Sequence, residues 1–302
     1  MAKCKPIPDA IVQGDCLDVL GDMPNKSISL TFTSPPYEDA RKNCLNLTGM
    51  AWVEWAVPRF LACLRVTNGL VAWVVEGRTR NFSWSGVPVL LMTELIRLGV
   101  ILRKPPVFHR VGIPGSGGPD FLRNDYEFII CATNRSGKLP WSRPTTMGGP
   151  PKWKPGGPMS HRQQSGVRVN EEPKIRDMRE GRVSGKIYTK RMPDGTMRHQ
   201  AYTPPKTVNP GNVVSCIVGG GVMGSRLCHE HPAPFPEKLA EFFIRSFCPP
   251  GGIVLDPFCG SGTTLSVALQ HGRRYIGIDK DPQWIKLSKR RVREARHDVP
   301  AV

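Results

Sequence analysis

The sequence is short of long hydrophobic runs, of acidic residues and of paired cysteines. Its most apolar stretch, residues 70–75, ends after six positions at Glu76, whereas a membrane-spanning helix needs about 20. Bilayer insertion is therefore excluded. The first 16 positions contain Pro, Asp and Gly, so no apolar export signal is read there. The nine cysteines include no C-x-x-C pair, and the expectation is a cytoplasmic protein with reduced thiols and no metal site. The string Cys228-His229-Glu230-His231 does not change this, because no second ligand pair completes a zinc set. Acidic residues number 25 against 42 Lys and Arg in 302 positions, a formal charge of +17. Such a surplus points to a polyanion, with nucleic acid the first candidate partner. The length suits one large domain carrying an insertion, or two small domains.

The charge is uneven. Residues 138–206 hold 15 basic and 5 acidic side chains, a surplus of ten, together with 10 Pro and 8 Gly. Without helical or alternating periodicity this stretch buries little apolar surface and reads as a loop-rich insertion. Its cations suit phosphate contacts, with Trp141, Trp153 and Tyr188 available to stack or wedge. A solvated linker is the other reading.

On both sides the pattern is orderly. Residues 27–33 (SISLTFT), 69–75 (GLVAWVV) and 126–132 (YEFIICA) read as strands, and residues 50–65 and 87–98 as helices, the first with Pro58 as an irregularity. After the insertion come an amphipathic helix at 237–247, a strand at 253–255, a helix at 264–271 and a strand at 275–278. Alternating strands and helices predict an α/β protein with a mainly parallel sheet. Residues 283–296 read as a basic helix with a solvated face, a DNA contact being the other reading, and residues 112–118 (GIPGSGG) as a surface loop.

Two strings carry chemistry. In VLDPFCGSGTT a strand enters Gly260-Ser261-Gly262 and then a helix. Glycines allow a tight turn and close approach of backbone N–H groups to a ligand. No Lys follows, and the G-x-G-x-x-G spacing is absent, so phosphate and dinucleotide loops fit badly. Asp279 stands 19 positions beyond Gly260 at the tip of the next strand, placed to accept hydrogen bonds from ribose hydroxyls. A nucleoside cofactor without a pyrophosphate fits this pattern. The second string, Thr33-Ser34-Pro35-Pro36-Tyr37, follows a strand directly. The prolines stiffen the segment and donate no hydrogen bond, while Ser34 offers a hydroxyl and Tyr37 a flat face. Together they suit a heterocycle with an exocyclic amino group.

At these residues the chain resembles DNA amino-methyltransferases that use S-adenosylmethionine, in the permuted order with the catalytic motif ahead of the cofactor motif. Residues 12–37 (VQGDCLDVLGDMPNKSISLTFTSPPY) and 231–281, which include HPAPFPEKL and VLDPFCGSGTT, carry the resemblance. The Ser-Pro-Pro-Tyr form is similar to that of the cytosine-N4 type. The resemblance implies a Rossmann-like methyltransferase fold with a mostly parallel seven-stranded sheet plus a basic loop-rich insertion. Residues 1–137 would be the catalytic half, 138–212 the target-recognition insertion and 213–302 the cofactor-binding half.

It also implies roles. Ser34, Pro35, Pro36 and Tyr37 would receive a flipped cytosine. Asp256, Phe258, Gly260, Gly262 and Thr263 would hold the methionine end of S-adenosylmethionine, with His231, Pro232, Phe235 and Pro236 along the methionine side. Asp279 would take the ribose and Asp15 the adenine edge. Lys152, Lys154, Arg162 and Arg168 would contact DNA, either duplex with a flipped base or single-stranded. A cognate restriction endonuclease is the further partner such an enzyme would have, and the chain would act as monomer or dimer. Adenine-N6 methylation, a DNA-binding protein with a vestigial cofactor site, and methylation of a protein glutamine stay open as alternatives.

Overall fold

Short β-branched runs alternating with apolar-faced helices build one sheet of nine strands: β1 (Ala10–Gln13), β2 (Ile28–Thr33), β3 (Thr67–Val75), β4 (Ile101–Leu102), β5 (Val107–Val111), β6 (Tyr126–Thr133), β7 (Val213–Ile217), β8 (Ile253–Asp256) and β9 (Arg274–Asp279). The computed structural model describes residues 7–38, 45–112, 122–151, 159–162, 167–171, 187–191, 194, 197–201, 205–218 and 223–297. Across the sheet the order is β1-β9-β8-β2-β3-β6-β5-β7, with β4 beside β6. Neighbours run parallel except at β6, which is antiparallel to β3, β4 and β5. The mostly parallel α/β sheet expected from the sequence is thus present, with nine strands where seven were expected. The additional ones are short: β4 has two residues, and β7 is an edge strand with alternate positions exposed. Strands of that kind leave almost no periodic signal.

Among the described residues six helices cover the two faces: α1 (Cys16–Asp22), α2 (Gly49–Val66), α3 (Val87–Arg97), α4 (Glu237–Phe247), α5 (Thr263–Gln270) and α6 (Pro282–His297). Strand alternation in β3 divides the core between them. Val71, Trp73 and Val75 pack with Trp52, Phe60 and Leu91 on one face, whereas Leu70, Ala72 and Val74 pack with Phe243, Leu265 and Val292 on the other. Helix α2 continues through Pro58, whose position is exposed, so the lost backbone hydrogen bond falls on the solvent side and the buried face is undisturbed. Among the described residues no helix is long and apolar enough to cross a membrane.

Residues 147–210 form a compact unit of their own, and residues 1–146 with 211–302 form the other. Inside 147–210 are two antiparallel ribbons, Met159–Arg162 with Arg168–Glu171 and Ile187–Arg191 with Met197–Ala201. The sequence showed no period there because each ribbon strand is only four or five residues long.

Candidate active site

Strands β2 and β8 lie side by side although they are far apart in sequence. From β8 the sheet continues to β9 and β1, and from β2 to β3 and β6. The carboxyl ends of neighbouring strands at such a reversal of strand order are where open α/β sheets bind ligands. Thr33, the last residue of β2, donates its hydroxyl to Asp256 Oδ1 at the end of β8, at 2.6 Å. Beyond this bond the TSPPY segment and the glycine turn both open onto a cleft of about 1220 Å³.

At one end of the cleft, the Trp52 indole donates to the Pro36 carbonyl at 2.9 Å and pins the proline pair to α2. Ser34 Oγ donates to the Tyr37 hydroxyl at 3.3 Å, and Tyr37 donates to Glu127 Oε2 at 2.7 Å. Arg110 faces the other Glu127 oxygen at 3.2 Å. Burial pushes the Glu127 carboxyl above its ordinary range, opposed by the Tyr37 hydrogen bond and the Arg110 cation. Burial, reinforced by the charge of Glu127, raises the Tyr37 phenol far enough that it keeps its proton.

The glycine turn is held from beneath. Asp256 is 1% exposed, and burial pushes its carboxyl up to about 6, against hydrogen bonds from Thr33, Thr264 and the Phe258 N–H. Asp279 accepts from the Gly260 N–H and from the Asp281 N–H, each at 3.0 Å, and so fastens the turn to the end of β9. Gly260 has φ +46°, and a Cβ there would stand 3.0 Å from His231 Nε2; only glycine gives both the left-handed backbone and this approach. Gly262 has φ +79° and lies against the backbone of Ser288 in α6. His231 packs edge-on against Trp284 with ring centroids 4.5 Å apart.

At the other end, Asp15 caps α1 by accepting from the Leu17 N–H. It pairs with Arg59 at 3.0 Å, and Arg59 lies 4.5 Å over the Trp55 ring. Burial works to raise the Asp15 carboxyl, but Leu17, Arg59 and Lys280 together hold it below its ordinary value.

The cleft therefore gathers Ser34, Pro35, Pro36 and Tyr37 with Asp15, Phe258, Gly260 and Asp279, and with His231, Pro232, Phe235 and Pro236. Asp256, Gly262 and Thr263 stand behind its wall instead. Lys152 and Lys154, with Trp153, lie outside the described residues; so do residues 113–118 of the GIPGSGG loop. Arg162 and Arg168 are register partners in the first ribbon of the 147–210 unit. Cys259 is buried under the turn, its thiol raised well above the ordinary range by burial. No group of His, Cys, Asp and Glu among the described residues could hold a metal ion.

Sequence reasoning missed four contributors. Trp55 and Arg59 sit four apart on α2, a spacing that puts them on one helix face. Glu127 is the single acid of an apolar strand. Arg291 carried no signal at all: it lies in the helix read as solvated, yet it is 1% exposed. Its guanidinium donates to Ser261 Oγ at 3.0 Å, Thr263 Oγ1 at 2.7 Å and Glu237 at 2.7 Å. The basic face of α6 is solvated elsewhere, but this cation is buried under the glycine turn.

Relatives share this chain's plan. It is 29% identical over 270 residues to the orphan methyltransferase M.BamHII of Bacillus amyloliquefaciens, covering 88% of this chain and 89% of the relative. It is 24% identical to the DNA adenine methyltransferase YhdJ of Escherichia coli (strain K12), covering 95% and 83%. The PvuII DNA methyltransferase (cytosine-N4-specific) superposes with a TM-score of 0.62 at 18% identity, covering 98% of this chain and 93% of that one, a likeness of fold. A family profile described as a DNA methylase matches residues 28–290, which take in both the TSPPY segment and the glycine turn, and the chain belongs to that N6/N4 DNA methylase family.

Proposed function

We propose that this DNA methyltransferase transfers a methyl group from S-adenosylmethionine to the exocyclic N4 amino group of cytosine. The observation that carries the reading is the junction of the TSPPY segment and the glycine turn at adjacent strand ends, tied by the Thr33–Asp256 hydrogen bond. The cofactor suits the turn. Gly260 keeps open a cradle that a Cβ would close against His231, and Asp279 has further lone pairs beyond those taken by Gly260 and Asp281. In this reading Phe258, Gly260, His231, Pro232 and Phe235 bound the methionine side, Asp279 takes the ribose, and Asp15 with Trp55 takes the adenine. Asp256, Gly262 and Thr263 hold the turn in shape from behind.

S-adenosylmethionine, when bound, supplies an electrophilic sulfonium methyl group. The remaining work belongs to the protein. A cytosine amino nitrogen is conjugated with its ring and is a poor nucleophile. Ser34 Oγ and the Pro35 carbonyl accept hydrogen bonds from its two N–H groups and draw the nitrogen towards tetrahedral geometry, while Tyr37 stacks on the ring and fixes the line of attack, and the nitrogen, once methylated, releases one of these two protons to water. The base reaches this pocket by leaving the duplex stack, which costs a few kcal/mol. Phosphate contacts offset that cost, and in this reading Lys152, Lys154, Arg162 and Arg168 of the basic 147–210 unit make them. The Ser-Pro-Pro-Tyr form and the shared plan with the PvuII enzyme favour cytosine, whereas the YhdJ name makes adenine-N6 the second reading.

The test is nucleoside analysis and methylation-sensitive sequencing of DNA from a methylation-deficient host expressing the chain. N4-methylcytosine within one sequence motif is expected. N6-methyladenine would replace the base assignment, and unmodified DNA would overturn the reading.

A further inference from the structure

The cleft wall near Tyr37 holds a cation whose hydrogen-bonding capacity is only partly used. Phe108 and Arg110 are two apart on β5 and so face the same side of the sheet, where both line the cleft. Phe108 stands opposite Glu127 in register, which sets Arg110 one diagonal step from the Glu127 carboxylate. Arg110 Nη1 lies 3.2 Å from Glu127 Oε1, and Nη2 donates to the Asn124 carbonyl at 2.8 Å. Each of these nitrogens carries a second hydrogen. Nε is buried and has no hydrogen-bond partner among the described residues. A guanidinium that served only to neutralise Glu127 would spend its donors more fully, because one left unpaired away from water is costly.

A chain of contacts fixes this cation relative to the proposed amino-group site. Ser34 Oγ meets the Tyr37 hydroxyl at 3.3 Å, Tyr37 meets Glu127 at 2.7 Å, and Glu127 meets Arg110 at 3.2 Å. Acceptors therefore stand at one end of the chain and a cationic donor at the other, with the buried Phe108 ring as apolar wall beside them. Flipped bases are read along their Watson–Crick edge. Cytosine presents there an amino group, a ring nitrogen and then the carbonyl oxygen O2. Adenine presents an amino group and a ring nitrogen, but a C–H where cytosine has O2.

We propose that Arg110 donates to O2 of the target cytosine and is the residue that sets cytosine ahead of adenine. With the amino group held at Ser34, O2 takes up one of the unspent N–H groups in a charge-assisted bond. Adenine in the same place sets a C–H against the cation and leaves the donor unpaired. A site built to hydrogen-bond a substrate group rejects the analogue that lacks it. Glu127 then has two tasks, accepting the Tyr37 proton on one oxygen and holding the guanidinium plane with the other. The inference rests on the cytosine-methylation reading and adds to it the residue that enforces the choice of base.

The experiment compares wild type, Arg110→Lys and Arg110→Met on duplexes carrying the motif found in host DNA, with cytosine or 2-thiocytosine at the target position. Sulfur in place of O2 keeps the amino group but is a poorer acceptor. It should lower the wild-type kcat/KM about tenfold, the loss expected for a hydrogen bond to a charged group, and that of Arg110→Met by less than about threefold. The difference between the two is the coupling between Arg110 and O2. On cytosine itself Arg110→Met should lose at least about tenfold, with S-adenosylmethionine affinity unchanged. Arg110→Lys keeps a cation beside Glu127, and with it the fold, and should fall between the other two in its sensitivity to sulfur. Were Arg110 only a structural partner of Glu127, sulfur would cost all three proteins the same factor. That result, or a wild type indifferent to sulfur, overturns the assignment while leaving cytosine methylation in place. N6-methyladenine in the host DNA removes the cytosine reading itself, and the role of Arg110 falls with it.

Discussion

Tyr37 donates its hydroxyl to Glu127 at 2.7 Å across 90 positions of sequence. This bond sets a direction for the hydroxyls around it. Arg110 holds the other Glu127 oxygen at 3.2 Å, the Tyr37 oxygen spends its proton on Glu127, and Ser34 spends its own on Tyr37. What Ser34 then turns towards the cleft is lone pairs. An amino group can meet them and a ring carbonyl cannot. Glu127 thus acts through Tyr37 and Ser34 as a positioning residue in the proposed reaction.

Tyr37→Phe tests that chain. It leaves the ring for stacking but frees the Ser34 proton to point into the cleft. Losing a hydrogen bond to a charged group amounts to about 1.5 kcal/mol, so kcat should fall about tenfold. Calorimetry should find S-adenosylmethionine binding within about twofold of wild type, because the change is confined to the proposed base end. Undiminished kcat, or a parallel loss of cofactor affinity, would contradict the assignment.

Arg291 joins three pieces that meet behind the proposed cofactor end. Besides the glycine turn, it holds Glu237, and Glu237 also accepts from the Ser225 N–H at 3.2 Å in the segment leading to His231. Arg291→Met keeps the length but leaves Glu237 and two hydroxyls without their donor. Breaking such a pair on one side costs about 3 kcal/mol. Urea denaturation should show that loss, with weakened S-adenosylmethionine binding in the fraction that stays folded. Arg291→Lys should fall between, since the charge survives but the fork that reaches three partners does not.

How much of this was legible in the sequence depends on what each feature leaves behind. The strand–turn–helix at 253–270 is spelled out by an apolar run and two obligatory glycines, and the TSPPY segment by its prolines. Their adjacency across 223 positions followed from the two motifs occurring together, not from any local period. The reversed direction of β6 left no trace, because YEFIICA is equally apolar whichever way it runs. Glu127 and Arg291 were invisible for a common reason. Their importance lies in burial and in partners from distant segments, whereas in sequence one is an acid in a strand and the other a cation in a helix full of cations.

The last prediction concerns pH and Asp256. Burial raises this carboxyl from 3.8 to about 6 in the folded protein. Between those values the folded state holds a proton that the unfolded chain has released, so raising the pH across this window favours unfolding through this group. Below about pH 4 both states are protonated, and above about pH 6 both are ionised, so the slope is confined to the interval. Asp256→Asn is neutral throughout and lacks it. Asp279, whose carboxyl is also raised by burial, is present in both proteins, and the repulsion between its charge and that of Asp256 is part of the Asp256 shift that the comparison reads. The stability of the Asn variant relative to wild type should therefore rise by up to about 3 kcal/mol from pH 4 to pH 6 and then level off, on top of a pH-independent offset from the altered hydrogen bonds to Thr33 and Phe258. Urea denaturation at pH 4, 5, 6 and 7 measures it, and two parallel curves would show that the Asp256 carboxyl titrates alike in both states. The charge that gives rise to the slope sits between the glycine turn and the TSPPY segment, so this stability cost is borne at the junction on which the proposed chemistry depends.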